Sequence, residues 1–175
     1  MSQHSETSGR RVGNVVFLNT VRNTQTRSAA RPEQLVMDFD PPRKLLVVVA
    51  ENLHGSTFLQ SLLENRPTML VDFRFAPHFN FTAIDGQTAR RQIDSVGTLY
   101  VQCPVPFHEY SSSLLRHDPQ AIAQKLPNCA IAKGVMTGPL MVLVKEVAVA
   151  RALAPFLAAA LCEQLGGTWQ PNIIV

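Results

Sequence analysis

The stretch Lys44-Leu-Leu-Val-Val-Val-Ala50 decides the predicted fold, because it is a continuous apolar run with three consecutive valines. A strand with one wet face alternates apolar and polar side chains, whereas a continuous run is typical of a strand buried on both faces. Such strands occur in parallel sheets that are covered by helices on both sides. The run therefore predicts a central strand of an α/β domain.

Strand-like and helix-like segments alternate on the C-terminal side of this run. Further strands are predicted at Met69–Val71, Leu99–Val101, Leu140–Val144 and Asn172–Val175. Helices are predicted after a capping Ser56, over Gln87–Val96, after Asp118-Pro119 and over Val147–Leu165. The alternation predicts a Rossmann-like three-layer α/β domain, with a mainly parallel sheet of five or six strands and helices on both faces.

The N-terminal segment carries the positive charge of the chain. Residues 1–31 hold five arginines and one acid, a net charge of +4, whereas the remainder holds 11 basic and 12 acidic residues, a net charge of −1. We expect residues 1–12 to form a flexible basic arm and residues 13–175 to form one domain, with a candidate first strand at Val15–Leu18. Arg10 and Arg11 could contact nucleic acid or an acidic protein, and the alternative is a solvated terminus.

Composition bounds the class of protein. With 46% hydrophobic and 17% charged residues, the chain can fill a sizeable core and leave apolar surface for a partner. The first residues lack the apolar core of a secretory signal, and no apolar run approaches the roughly 18 residues of a membrane span. Cys103, Cys129 and Cys162 are far apart and odd in number, which fits neither a disulfide framework nor a zinc motif. We expect a cytoplasmic protein without a cofactor.

Ionisable residues follow the predicted strands at one edge of the sheet. In open α/β sheets, ligands bind where parallel strands end on their carboxyl side. The candidate ligand-binding residues at that edge are Asp72, Arg74, His54, His108 and Glu146. No ligand spacing among them supports a metal site, so none is expected.

Asp72 and Arg74 have two interpretations. They alternate with Phe73 and Phe75, so in an extended chain they point to the same side. In the functional interpretation, the Arg74 guanidinium holds an anion and Asp72 orients it or acts as a base. In the structural interpretation, Asp72 caps loop amides and Arg74 binds loop carbonyls.

Two segments carry a resemblance to a known family. Val49–Leu63 and Leu70–Pro77 are similar to the bacterial family of domain of unknown function four-eight-eight, whose second strand ends in Asp-Val-Arg with a proline three residues later. Asp72, Arg74 and Pro77 match that motif. The resemblance implies the α/β fold and a bacterial protein.

The chain also departs from that family's pattern over the covered region, about residues 44–175. The turn reads His54-Gly55-Ser56 where the family has Gly-His-Ser, and Pro104–Tyr110 replaces a Leu-Gly-Gly. The family's Cys-His-Arg at the start of the last helix is absent, and only Arg151 could stand in. If the family performs chemistry with that set, this chain has lost it.

The predicted C-terminal helix has no charged residue between Arg151 and Glu163. A surface helix normally has a polar face, so this helix is expected to be covered by its own chain or by another one. Phe156 with Ala159 or Ala160 is the predicted contact face. The preferred prediction is a non-catalytic interaction protein acting through a protein partner or as a homodimer, possibly associated with nucleic acid. The alternative is a small enzyme or a nucleotide- or anion-binding protein that uses Asp72 and Arg74.

Overall fold

The computed structural model describes residues 41–51, 53–76, 79, 81–105 and 119–175. The predicted arm at residues 1–12 and the candidate strand Val15–Leu18 lie outside the described residues, as does His108.

The described residues form a parallel sheet of five strands. The strands are β1 (Arg43–Val49), β2 (Met69–Asp72), β3 (Leu99–Gln102), β4 (Leu140–Val144) and β5 (Trp169–Ile174). Their order across the sheet is β3-β2-β4-β1-β5, and every neighbouring pair is parallel. The predicted α/β class is confirmed. The apolar run Lys44–Ala50 forms most of β1, which lies inside the sheet beside β4, as predicted.

Helices cover both faces of this sheet. They are α1 (Gly55–Asn65), α2 (Gly86–Ser95), α3 (Pro119–Ala123), α4 (Lys125–Ala132) and α5 (Val147–Leu165). Side chains alternate along each strand. On β1, Leu45 and Val47 therefore pack with α3, α4 and α5, whereas Leu46 and Val48 pack with α1 and α2.

Two helix boundaries differ from the sequence-based expectation. Helix α1 begins before Ser56, and its N-cap is His54, whose Nδ1 accepts a hydrogen bond from the Ser56 N–H (3.3 Å). The helix after residue 118 is divided into α3 and α4 around Gln124. Pro127 explains the division, because proline has no N–H to donate and fits only in the first turn of a helix.

The C-terminal elements differ as well. The last strand begins at Trp169 rather than at Asn172, since Trp169 is buried and pairs with Arg43 at the start of β1. Pro171 is accommodated because β5 lies at the edge of the sheet. Pro155 lies inside α5, where a proline bends or interrupts a helix, and α5 nevertheless runs as one helix from Val147 to Leu165. The carbonyl that loses its partner belongs to Arg151, which is exposed and can bind water.

Among the helices that the structure describes, α5 alone has the length and the apolar composition needed to cross a membrane. Eight of its 19 residues are nevertheless buried against the rest of the domain. The core helix of a globular domain passes the same test of length and composition, so this feature carries no conclusion about a membrane.

A matched pair of glycine substitutions tests the turn that precedes β4. Gly138 has φ +93°, and an added Cβ would lie 2.5 Å from Thr68 Cγ2. Gly134 has φ +70° with no atom within 4 Å of the added carbon. We expect Gly134→Ala to lower the free energy of unfolding by about 1 kcal/mol through backbone strain alone. Gly138→Ala adds overpacking, for a loss of about 2–4 kcal/mol.

Urea denaturation of the two variants measures this difference. Equal losses in both variants would contradict the close packing between Gly138 and Thr68.

Candidate functional site

The centre of the candidate site is an ion pair between Asp72 and Arg74 at the carboxyl end of β2. The Arg74 guanidinium donates from Nε to Asp72 Oδ1 (2.9 Å) and from Nη2 to Oδ2 (2.7 Å). The Arg74 backbone N–H also donates to Oδ1 (3.0 Å). The exposed fractions are 0% for Asp72 and 8% for Arg74. The two side chains point to the same side, as strand alternation predicts, and they are buried together.

Tyr100 on the neighbouring strand completes the environment of the carboxylate. Tyr100 pairs with Leu70 across β2 and β3, and its hydroxyl donates to Asp72 Oδ2 (3.1 Å). Burial raises the pKa of Tyr100 to about 12, with the negative charge of Asp72 and the hydrogen bond to it acting in the same direction. Tyr100 is therefore protonated over the whole neutral range of pH, and its hydroxyl donates a hydrogen bond to Asp72.

Aromatic rings and a second arginine close the site from outside. Phe79 lies against the Arg74 guanidinium, 5.2 Å from its Cζ to the ring centroid, and makes an edge-on contact with Tyr100. Arg90 on α2 places its guanidinium 5.4 Å from both the Phe79 and Tyr100 rings. Asp85 fixes the start of α2 by accepting hydrogen bonds from the N–H groups of residues 87 and 88. Each ring face thus meets a cation, an attractive arrangement.

The ion pair has little capacity left for chemistry. A carboxylate offers about four acceptor positions. All four are used: Oδ1 accepts from the Arg74 Nε and backbone N–H, and Oδ2 accepts from Arg74 Nη2 and the Tyr100 hydroxyl. The charge of Arg74 is neutralised by the same contacts. The geometry therefore favours the structural interpretation, in which Asp72 holds the turn after β2.

His54 and Glu146 are engaged separately from this pair. His54 caps α1, with its Nδ1 2.7 Å from Ser56 Oγ, and is exposed. Glu146 precedes α5 and is paired with the exposed Lys145 at 3.6 Å. His108 lies outside the described residues. In the described part of the chain, no group of three His, Cys, Asp or Glu side chains is arranged to hold a metal ion.

A second feature of the same edge is the point where the chain changes direction. From β1 the chain runs through α1 to β2, and from the adjacent β4 it runs through α5 to β5 on the opposite side. Such points form ligand crevices in α/β proteins. Here the Ala50 N–H bonds to Val144 O (2.8 Å) and the Glu51 N–H bonds to Lys145 O (3.0 Å). These bonds continue the parallel pairing of β1 and β4 beyond the two strands. They hold together the two chain segments that leave the sheet there.

Sequence reasoning found the acid and the base but missed the residues that enclose them. Tyr100, Phe79 and Arg90 were not among the candidate residues. Tyr100 had a signal, because the hydroxyl of a partly buried tyrosine usually needs a hydrogen-bond partner. The positions of Phe79 and Arg90 depend on a loop and on a helix phase that the sequence pattern does not specify.

Comparisons with known proteins find no match: no family model matches the chain, and neither the curated proteins nor the solved structures include one that does. The resemblance to the domain of unknown function four-eight-eight family therefore remains a prediction.

Removal of one partner tests the structural interpretation of the ion pair. Asp72→Ala leaves the Arg74 guanidinium buried without a counter-charge, and we expect a loss of about 3–5 kcal/mol in the free energy of unfolding. Asp94→Ala, at an exposed position on α2, is the control and should change it by less than about 0.5 kcal/mol. Replacing both partners, with Asp72→Leu and Arg74→Met, should recover most of the loss. A loss below about 1 kcal/mol in Asp72→Ala would contradict this role.

The raised pKa of Tyr100 predicts a specific dependence of stability on alkaline pH. Between pH 10 and 12 the unfolded state loses the Tyr100 proton while the folded state retains it. Stability from this group is complete below pH 10 and is lost as pH rises toward 12. Urea denaturation measures the free energy of unfolding below pH 10 and again midway between pH 10 and pH 12. Between these two conditions, that free energy should fall more in the wild type than in Tyr100→Phe. Parallel pH profiles would contradict the assignment.

Proposed function

We propose that this protein is a non-catalytic interaction protein that works as a homodimer, and that the exposed face of α5 is its contact surface. Two observations on the site support a non-catalytic role. The Asp72 carboxylate has its acceptor positions filled from within the chain, and His54 is used as a helix cap. The observation that carries the proposal is the composition of the α5 surface.

The exposed stripe of α5 is apolar over two turns. It consists of Ala152, Pro155, Phe156 and Ala159, all exposed, and Phe156 has 40% of its surface accessible. The opposite side of the helix, with Leu153 and Leu157, is buried in the core. Of the predicted contact residues, Phe156 and Ala159 lie on the stripe. Ala160 is 3% exposed and packs within its own domain, so it is no part of this surface.

The order of residues along the stripe fits a second copy of the same helix. Ala152 and Ala159 lie one turn to either side of the midpoint between Pro155 and Phe156. In an antiparallel pair with its two-fold axis at that midpoint, each Ala152 faces the other copy's Ala159. Small residues at these positions let two helices approach closely, and each Phe156 then packs beside the other copy's Pro155. Such self-complementary contacts define a two-fold dimer.

The charges at the ends of the stripe agree with this arrangement. Arg151 lies at the N-terminal end of the stripe and Glu163 beyond its C-terminal end. In the antiparallel pair, Arg151 comes opposite the second copy's Ala160, within one turn of that copy's Glu163. Opposite charges thus meet at both rims of the contact, where they favour the antiparallel orientation.

Light scattering of the full-length protein at micromolar concentration tests the proposal. We expect the wild type to have twice the mass of one chain and Phe156→Glu to be a monomer with an unchanged circular dichroism spectrum, because two carboxylates would be buried near the axis. Leu63→Glu is the matched control, since Leu63 is also an exposed apolar residue, on α1. This variant should remain dimeric.

Two results would contradict the proposal: a monomeric wild type, or a Phe156→Glu variant that stays dimeric. A loss of dimer in Leu63→Glu would move the contact surface to α1.

The alternative function is an enzyme or a nucleotide- or anion-binding protein that uses the carboxyl edge of the sheet. The change of chain direction between β1 and β4 supports it, since such points commonly bind ligands. An anion would meet an Arg74 guanidinium that is buried and already paired with Asp72. A rise of the melting temperature with inorganic phosphate or ATP, lost in Arg74→Met, would favour this alternative over the interaction role. Nucleic-acid binding through Arg10 and Arg11 would instead be salt-dependent and lost on deletion of residues 1–12.

A further inference from the structure

We draw no further inference here: the strongest candidate, the exposed pair of His54 and Ser56 at the N-terminus of α1, rests on a helix N-terminus whose hydrogen bonds only cap that helix, and no second observation among the described residues indicates a ligand there.

Discussion

The two central strands, β1 and β4, have no face that meets water, and the rest of the structure follows from this constraint. Every residue of β4 is buried, as are the last five of β1. A sheet with such a centre needs an apolar layer on each side, and the sequence supplies them as two helices on one face and three on the other. Polar side chains are thereby excluded from the middle of the sheet and collect where the strands end.

The ion pair at the end of β2 shows how a polar group is retained under this constraint. A buried charge is tolerated when it is paired and its hydrogen-bonding positions are filled. Asp72 meets both conditions through Arg74 and Tyr100. The same contacts engage all four acceptor positions of the carboxylate within the chain. The acid and base that the sequence places side by side are therefore joined as an ion pair that stabilises the end of β2.

The two sides of helix α5 lie in different environments, since one faces the core and the other is exposed. Its inner side must fill the space over the central strands. Leu153, Leu157 and Leu161 fill it with apolar side chains. Its outer side would ordinarily be charged, yet it carries alanines, a proline and Phe156. Packing within the domain accounts for the first set of residues and leaves the second unexplained. In the proposed homodimer, a second copy would give the outer residues an apolar environment as well.

The class of fold could be predicted from the order of residues alone, because hydrophobic periodicity reflects burial directly. Lys44–Ala50 was predicted as a central strand and Leu140–Val144 as a strand, and these segments form β1 and β4 inside the sheet. The same periodicity predicted that Asp72 and Arg74 share a side. Element ends were less accurate, since they depend on single interactions such as the His54 cap and on the pairing of Trp169 with β1.

Contacts between residues far apart along the chain follow from the packing of the whole domain. The strand order places Tyr100 beside Asp72, although 28 residues separate them along the chain. The physical reason is that a local pattern specifies which side of an element is buried but not which element covers it. That choice is made by the packing of the whole sheet and its helices.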